Sequence, residues 1–69
     1  MMKTERLEEL KRKVLLVIKL YSVPKERYFD GFNRAEISIA VDELIKEGFI
    51  EFVKEDYNGM HYKVIKEIL

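Results

Sequence analysis

The chain contains no cysteine and no glutamine, only one proline, and no long hydrophobic run. Without cysteine it cannot form disulfide bonds, thiolate nucleophiles or cysteine-ligated zinc sites. Its longest aliphatic run, residues 14–18, is far shorter than the roughly 20 apolar residues of a membrane span, and it is too short for a signal peptide. We therefore expect a soluble, cytoplasmic protein without a metal, a cofactor or a membrane partner.

Charged and apolar residues dominate the composition instead. Of the 69 residues, 48% are hydrophobic and 38% are charged, with a net charge of zero. A chain of this length makes one domain, residues 1–69, whose small core needs additional support. Oligomerisation is one way to supply that support, so we expect a homodimer. Abundant Lys and Glu with few thermolabile residues is typical of thermophile proteins.

The zero net charge conceals an asymmetry along the chain. Residues 1–27 hold eight Lys and Arg against four Glu, whereas residues 28–69 hold five Lys and Arg against nine Asp and Glu. A basic end can steer a phosphate backbone onto a protein. The opposite charges of the two parts can equally favour self-association.

Residues Thr4 to Tyr21 are predicted to form a helix, with Thr4 as its N-cap. Its apolar residues recur at spacings of three and four and so share one face: Leu7, Leu10, Val14, Val17, Ile18 and Tyr21. Leu16 and Leu20 lie on the opposite face. Either other parts of this small fold cover the two leucines, or they form a dimer interface.

The stretch after this helix contains the only proline, Pro24, and the turn-forming pair Asp30-Gly31. Both features interrupt helices. Pro24 is a suitable first residue for a short helix that reaches Phe29. An irregular loop over the same residues is the alternative.

The strongest helix signals lie between residues 33 and 47. Asn33 is a favourable N-cap, and Glu36 completes a capping box. Gly48 stands just after the helix, where a left-handed C-cap conformation is needed. The face predicted to be buried consists of Ile37, Ala40, Val41, Leu44 and Ile45. The outward face carries Ala35, Ile39, Asp42 and Lys46.

Two strands, residues 49–57 and 60–66, are predicted on either side of Asn58-Gly59, a strong hairpin signal. A two-residue turn there implies these pairs: Tyr57 with Met60, Asp56 with His61, and Lys54 with Lys63. Like charges directly opposite each other are unfavourable. A bound phosphate would relieve the repulsion between the two lysines. The alternative is that both side chains extend into water.

The order long helix, short helix, turn, second long helix and hairpin resembles that of a winged helix-turn-helix domain. The resemblance is carried by residues 33–62, and above all by the segment DELIKEGFI, residues 42–50. That segment resembles the end of the recognition helix and the entry to the wing in small bacterial and archaeal transcription regulators. Residues 56–59 resemble a wing tip. The resemblance implies an α+β winged helix-turn-helix fold, binding to double-stranded DNA and a role in transcription regulation.

Under this resemblance seven residues are candidate DNA contacts: Arg34, Ser38, Ile39, Lys46, Lys54, Asn58 and Lys63. The first four would face a major groove, where an isoleucine suits a thymine methyl group. The other three would contact phosphates. The proposed dimer interface is Leu16 with Leu20.

A protein-interaction domain that does not bind DNA is the alternative function. Residues 34–47 carry four acidic residues against two basic ones, and this balance repels phosphates. Ile39 would then be the centre of a protein contact. Catalysis is not expected, because the only histidine, His61, has no cysteine or serine suitably placed to pair with it.

Overall fold

The computed structural model describes residues 2–67. It is an α+β fold of two helices followed by a two-stranded antiparallel hairpin: α1 Thr4–Tyr21, α2 Arg34–Lys46, β1 Ile50–Asp56 and β2 Gly59–Val64. A 3₁₀ helix, Glu26–Tyr28, lies between α1 and α2. Within residues 2–67, neither α-helix is both long enough and apolar enough to cross a membrane.

The predicted bounds of α1 and most of its buried face are confirmed. Four of the predicted residues are buried: Leu10, Val14, Val17 and Ile18. Leu15 is buried with them. Tyr21 is instead 54% exposed, since its ring stacks on that of Tyr28 with the centroids 4.4 Å apart. The predicted N-cap is wrong. Lys3 holds that position because its carbonyl accepts the first helical hydrogen bond, from the Leu7 N–H at 2.9 Å, so that Thr4 is already helical.

Both predicted ends of α2 are confirmed. The side chain of Asn33 accepts a hydrogen bond from the Glu36 N–H at 2.9 Å, and the Glu36 carboxylate accepts one from the Asn33 N–H at 3.1 Å. Gly48 has a φ of 78°, a conformation that favours glycine. This backbone turn lets the Phe49 N–H donate to the Leu44 carbonyl at 2.9 Å, which closes the helix.

The core lies between α1, α2 and the hairpin. Four predicted residues of α2 are buried: Ile37, Ala40, Val41 and Leu44. Ile45, predicted to join them, is 41% exposed because it lies at the margin of the buried stripe. The remaining elements contribute Phe29, Phe32, Ile50 and Tyr62 to the same cluster.

Residues 22–33 contain less helix than predicted. The short helix is confined to Glu26–Tyr28, because the chain first makes a tight turn in which the Lys25 N–H donates to the Val23 carbonyl at 3.0 Å. That turn is centred on Pro24 and keeps it outside the helix. The predicted turn before α2 does form, with Gly31 at a φ of 82°.

The hairpin forms, but its predicted register is wrong. Asp56 pairs with Gly59, so that Tyr57 and Asn58 form the turn. The Asp56 carboxylate accepts the Asn58 N–H at 2.9 Å, and this side-chain turn starts the reversal one residue early. An irregularity between positions 52 and 54 leaves Val53 without a partner and shifts the register further.

The predicted lysine pair across the hairpin is therefore also wrong. Lys54 lies opposite His61, and Lys63 lies opposite Glu51. The Lys63 ammonium is 3.6 Å from the Glu51 carboxylate. Because the two lysines do not face each other, no repulsion between them calls for a bound anion.

Candidate nucleic-acid interface

The two exposed edges of α2 differ in charge. Along the edge that meets α1, Glu36 and the C-cap residue Glu47 form ion pairs with Arg6 and Lys11. The Arg6 Nε lies 2.9 Å from the Glu36 Oε2. The pairs neutralise two of the four acidic residues in 34–47 within the chain. Half of the acidity that opposed DNA binding is therefore directed towards α1.

Arg6 fixes the entrance to α2. Its guanidinium donates to both carboxylate oxygens of Glu36 and to the Gly31 carbonyl, and it lies 4.3 Å from the ring centre of Phe32. The Arg6 hydrogen bond is the main reason that the pKa of Glu36 is lowered, and the Asn33 N–H adds to the shift. The capping carboxylate therefore stays ionised below its usual range.

Lys11 fixes the other end of the same contact. Its side chain is buried in α1 and lies beside the carboxylates of Glu47 and Glu8. Burial opposes the charge, but the hydrogen bond to Glu47 and the nearby negative charges raise the pKa of Lys11 overall. α1 is thus a basic support that holds α2 in a single orientation.

The opposite edge of α2 borders a groove. The 3₁₀ region and the hairpin turn form its other sides. The groove measures about 860 Å³. Its apolar wall contains Val23, Pro24, Ile37, Val41, Met60 and Tyr62. Its polar residues are Lys25, Glu26, Arg27, Arg34, Ser38, Asp42 and Asn58.

Two contacts hold the walls of the groove together. The Tyr62 N–H donates to the Ser22 carbonyl at 2.9 Å, which ties residues 22–25 to β2. Gly59 packs so closely against Val23 that a Cβ atom at position 59 would lie 3.2 Å from a Val23 methyl group. The hairpin turn is therefore seated directly on the segment that carries Lys25.

The cations of this groove are not paired with acids. Each ion pair among residues 2–67 joins a carboxylate to a cation within 4.0 Å. None of these pairs includes Lys25, Arg27 or Arg34. The Arg27 guanidinium instead lies 5.3 Å from the ring centre of Tyr28. Two acids, Glu26 and Asp42, also line the groove, so that its balance is three cations against two carboxylates.

The outward face of the hairpin, termed here the outer hairpin face, has the opposite character. It consists of Glu51, Lys54, Asp56, His61 and Lys63. Asp56 lies 3.0 Å from the His61 Nε2 and 3.8 Å from the Lys54 ammonium. The pKa of Asp56 is lowered chiefly by the Asn58 N–H and further by His61 and Lys54. Each lysine on this face thus has an acidic neighbour from the same chain.

The seven predicted DNA contacts are consequently divided among three places. Arg34, Ser38 and Asn58 come together in the groove. Ile39, 45% exposed, and Lys46 lie on the solvent side of α2. Lys54 and Lys63 lie on the outer hairpin face and do not line the groove.

Sequence reasoning missed Lys25 and Arg27. Both belong to the basic first third of the chain, so the charge asymmetry contained the signal. Their position could not be inferred, because it depends on a hydrogen bond from Tyr62 of β2 to Ser22, forty residues earlier in the chain. Asn58 was placed correctly at the hairpin turn.

No grouping of three or more His, Asp or Glu side chains among residues 2–67 could hold a metal ion. The contact between His61 and Asp56 is thus a two-residue contact at the base of the turn. No protein-family model, curated protein or solved structure matches this chain.

Proposed function

We propose that the protein binds duplex DNA through the groove and the solvent side of α2, as a transcription regulator of the winged helix-turn-helix type. The observation that supports this proposal is the grouping of Lys25, Arg27 and Arg34 beside the exposed edge of α2, where none of them forms an ion pair with an acid among residues 2–67. Cations that neutralise phosphates release counterions, which is the main source of affinity for DNA. Cations already paired within the chain contribute less to that release.

Each element of the site has a separate role in this proposal. Lys25, Arg27 and Arg34 contact phosphates, and Asn58 adds a hydrogen bond from the hairpin turn. Ser38 and Ile39 extend from α2 towards base edges, where hydroxyl and methyl contacts carry sequence information. Residues 22–25 and the turn thus position the helix, and the helix reads the sequence.

The acids of the groove set a limit on affinity. Glu26 and Asp42 lie among the three cations and repel phosphates. We therefore expect non-specific binding at the weak end of the usual range, with a Kd of about 10⁻⁴ M at physiological salt. Binding should strengthen steeply as salt is lowered.

Neutralising the groove tests the proposal. In the triple variant Lys25→Ala/Arg27→Ala/Arg34→Ala, the log–log slope of affinity against salt should fall by about 2.7, since each lost phosphate contact removes about 0.9. The measurement is fluorescence anisotropy on a labelled random duplex at several salt concentrations. Circular dichroism should show unchanged folding, because none of the three side chains is buried.

Two matched controls accompany the triple variant. Arg12→Ala removes an exposed cation of α1 that makes no ion pair among residues 2–67, and it should leave the slope unchanged. Lys54→Ala/Lys63→Ala removes the paired cations of the outer hairpin face and should lower the slope by less than about 0.9. A larger effect from the hairpin pair than from the groove triple would contradict the proposed site. DNA binding that is undetectable at about 50 mM salt would contradict the function.

A protein-interaction domain is the second candidate, and one observation favours it. The groove has an apolar wall that includes Ile37, Val41 and Met60, and phosphates make no use of such a wall. Ile39 would extend this surface on α2. In this case the groove cations would select an acidic peptide, and Ile39→Ala would weaken the peptide complex without changing any salt-dependent binding to DNA.

A further inference from the structure

Exposed groups without a partner in the fold lie on α1 and at the hairpin turn. Leu16 is 57% exposed and Leu20 is 64% exposed, so the fold does not cover the two leucines, and the dimer interface stays a prediction. The hairpin turn is more informative, because the chain itself supplies both reactants of a chemical step there. These reactants are the side chain of Asn58 and the backbone nitrogen of Gly59.

The side chain of Asn58 is exposed and is not held by the fold. The backbone N–H of this residue donates to the Asp56 carboxylate at 2.9 Å, but its side-chain amide makes no hydrogen bond among residues 2–67. The other asparagine of the chain, Asn33, differs in this respect, since its side chain accepts the Glu36 N–H in the capping box. The Asn58 amide is therefore free to turn towards its own backbone.

The residue that follows Asn58 makes an attack on this side chain easy. Gly59 has no Cβ, and its φ of 123° lies in a region that favours glycine, so its nitrogen is less crowded than that of other residues. Asp56 and Gly59 are also the last pair of the hairpin, and the ends of elements open at a low cost in free energy. The Gly59 nitrogen can thus reach the Asn58 Cγ while the core stays folded.

We propose that Asn58 is a site of spontaneous deamidation. Hydroxide removes the proton of the Gly59 amide, and the nitrogen then attacks the Asn58 Cγ. The bond from Cγ to the side-chain nitrogen breaks, ammonia leaves with a proton taken from water, and a cyclic imide remains. A water molecule opens the imide at either carbonyl and gives aspartate or isoaspartate. The net reaction consumes water and releases ammonia, without an oxidant, a reductant or an enzyme.

Either product places a new carboxylate in the groove, which Asn58 lines. The groove holds three cations and two carboxylates, and deamidation makes the numbers equal. Isoaspartate also lengthens the backbone of the turn whose Gly59 packs on Val23. Deamidation therefore weakens phosphate binding as the protein ages. This consequence rests on the proposed binding of DNA, whereas the modification itself does not.

Peptide mapping by mass spectrometry tests the modification. The folded chain is kept for days at mildly alkaline pH and then digested. Aspartate and isoaspartate should accumulate at Asn58, faster as the pH rises because the attacking nitrogen must lose its proton, while Asn33 keeps its amide. The matched control Asn58→Gln retains an amide but must close a larger ring, so it should stay unmodified.

Two outcomes of this mapping would overturn the assignment of Asn58. The first is an intact Asn58 in the folded chain after a time that converts it fully in the urea-unfolded chain, since the folded turn would then block the attack. The second is equal conversion of Asn33 and Asn58 in the folded chain, since the fold would then not select the site.

Fluorescence anisotropy on duplex DNA tests the consequence. Asn58→Asp reproduces the aspartate product and should lower the log–log salt slope by about 0.9, the equivalent of a lost phosphate contact. Asn58→Gln adds no charge and should leave the slope unchanged. Equal slopes in the two variants would overturn the effect on binding and leave the modification site standing. A natural chain that does not bind DNA would contradict the proposed function and this consequence, but not the result of the peptide mapping.

Discussion

The groove and the outer hairpin face both carry basic residues, but the two regions differ in how close acidic side chains lie to those residues. On the outer hairpin face, the ammonium groups of Lys54 and Lys63 lie 3.8 and 3.6 Å from carboxylates of the same strand pair. In the groove, Lys25, Arg27 and Arg34 have no such neighbour among residues 2–67. The two regions carry similar numbers of cations, but those of the groove are more available to a phosphate.

The difference arises from how each surface is assembled. On the hairpin, each lysine meets an acid that is close in the strand pair: Glu51 lies opposite Lys63, and Asp56 lies two residues along the same strand from Lys54. The groove is built from three separate elements, and only tertiary packing brings Arg34 of α2 close to Lys25 and Arg27. A basic residue is thus a better candidate contact where the fold leaves it without a local acidic partner.

The largest stability effect should come from the glycine that seats the hairpin turn on the groove. Gly59 has a φ of 123°, and its Cβ would lie 3.2 Å from Val23. Gly59→Ala should destabilise the fold by about 2–3 kcal/mol, from backbone strain and from the displaced turn. DNA affinity should fall as well, because the turn carries Asn58. Urea denaturation and anisotropy measure the two effects.

Gly31→Ala is the matched control for this variant. Gly31 has a φ of 82°, but a Cβ there would meet nothing within 4 Å. Its cost should be about 1 kcal/mol, the strain of a left-handed alanine alone. Equal losses at positions 31 and 59 would mean that the contact between Gly59 and Val23 does not hold the groove closed.

Relieving strain at the other attachment of the groove should have a smaller effect of opposite sign. Ser22 has a φ of 70° and a ψ of −33°, an unfavourable conformation for a residue with a side chain, while its carbonyl accepts the Tyr62 N–H. Ser22→Gly should stabilise the fold by about 1 kcal/mol, since relief of strain exceeds the entropy cost of glycine. Thermal unfolding measures the gain. A loss of stability would show that the serine side chain matters more than the strain.

The smallest effect should be the change in stability with acid pH that the outer hairpin face produces through Asp56. Asp56 has a lowered pKa, so it stabilises the fold above its ordinary pKa of about 3.9, and this contribution is lost as pH falls through its value in the folded protein. In Asp56→Asn, the free energy of unfolding should therefore fall less as the pH is lowered through the acid range. An unchanged dependence on pH would mean that the turn does not depend on the ionised carboxylate.

Local sequence determined the two α-helices and both ends of α2. The capping box of Asn33 and Glu36 is a contact between residues three apart, and Gly48 ends α2 because its backbone conformation favours glycine. The buried residues of α1 follow from helical periodicity. Such features depend on neighbours in the chain, so they could be predicted, and the arrangement of two helices and a hairpin follows from them.

Tertiary structure decided the register and the grouping of charges. The hairpin register depends on a local contact, in which the Asp56 side chain competes for the turn, and on how the two strands pair around an irregularity near Val53, so Lys54 and Lys63 do not meet. Glu36 and Glu47 are acidic in sequence but are neutralised by Arg6 and Lys11 from a distant helix. Lys25 and Arg34 line one groove because Ser22 bonds to β2 and Val23 packs on Gly59. Contacts across such sequence separations leave no periodic signal, because they depend on how finished elements pack.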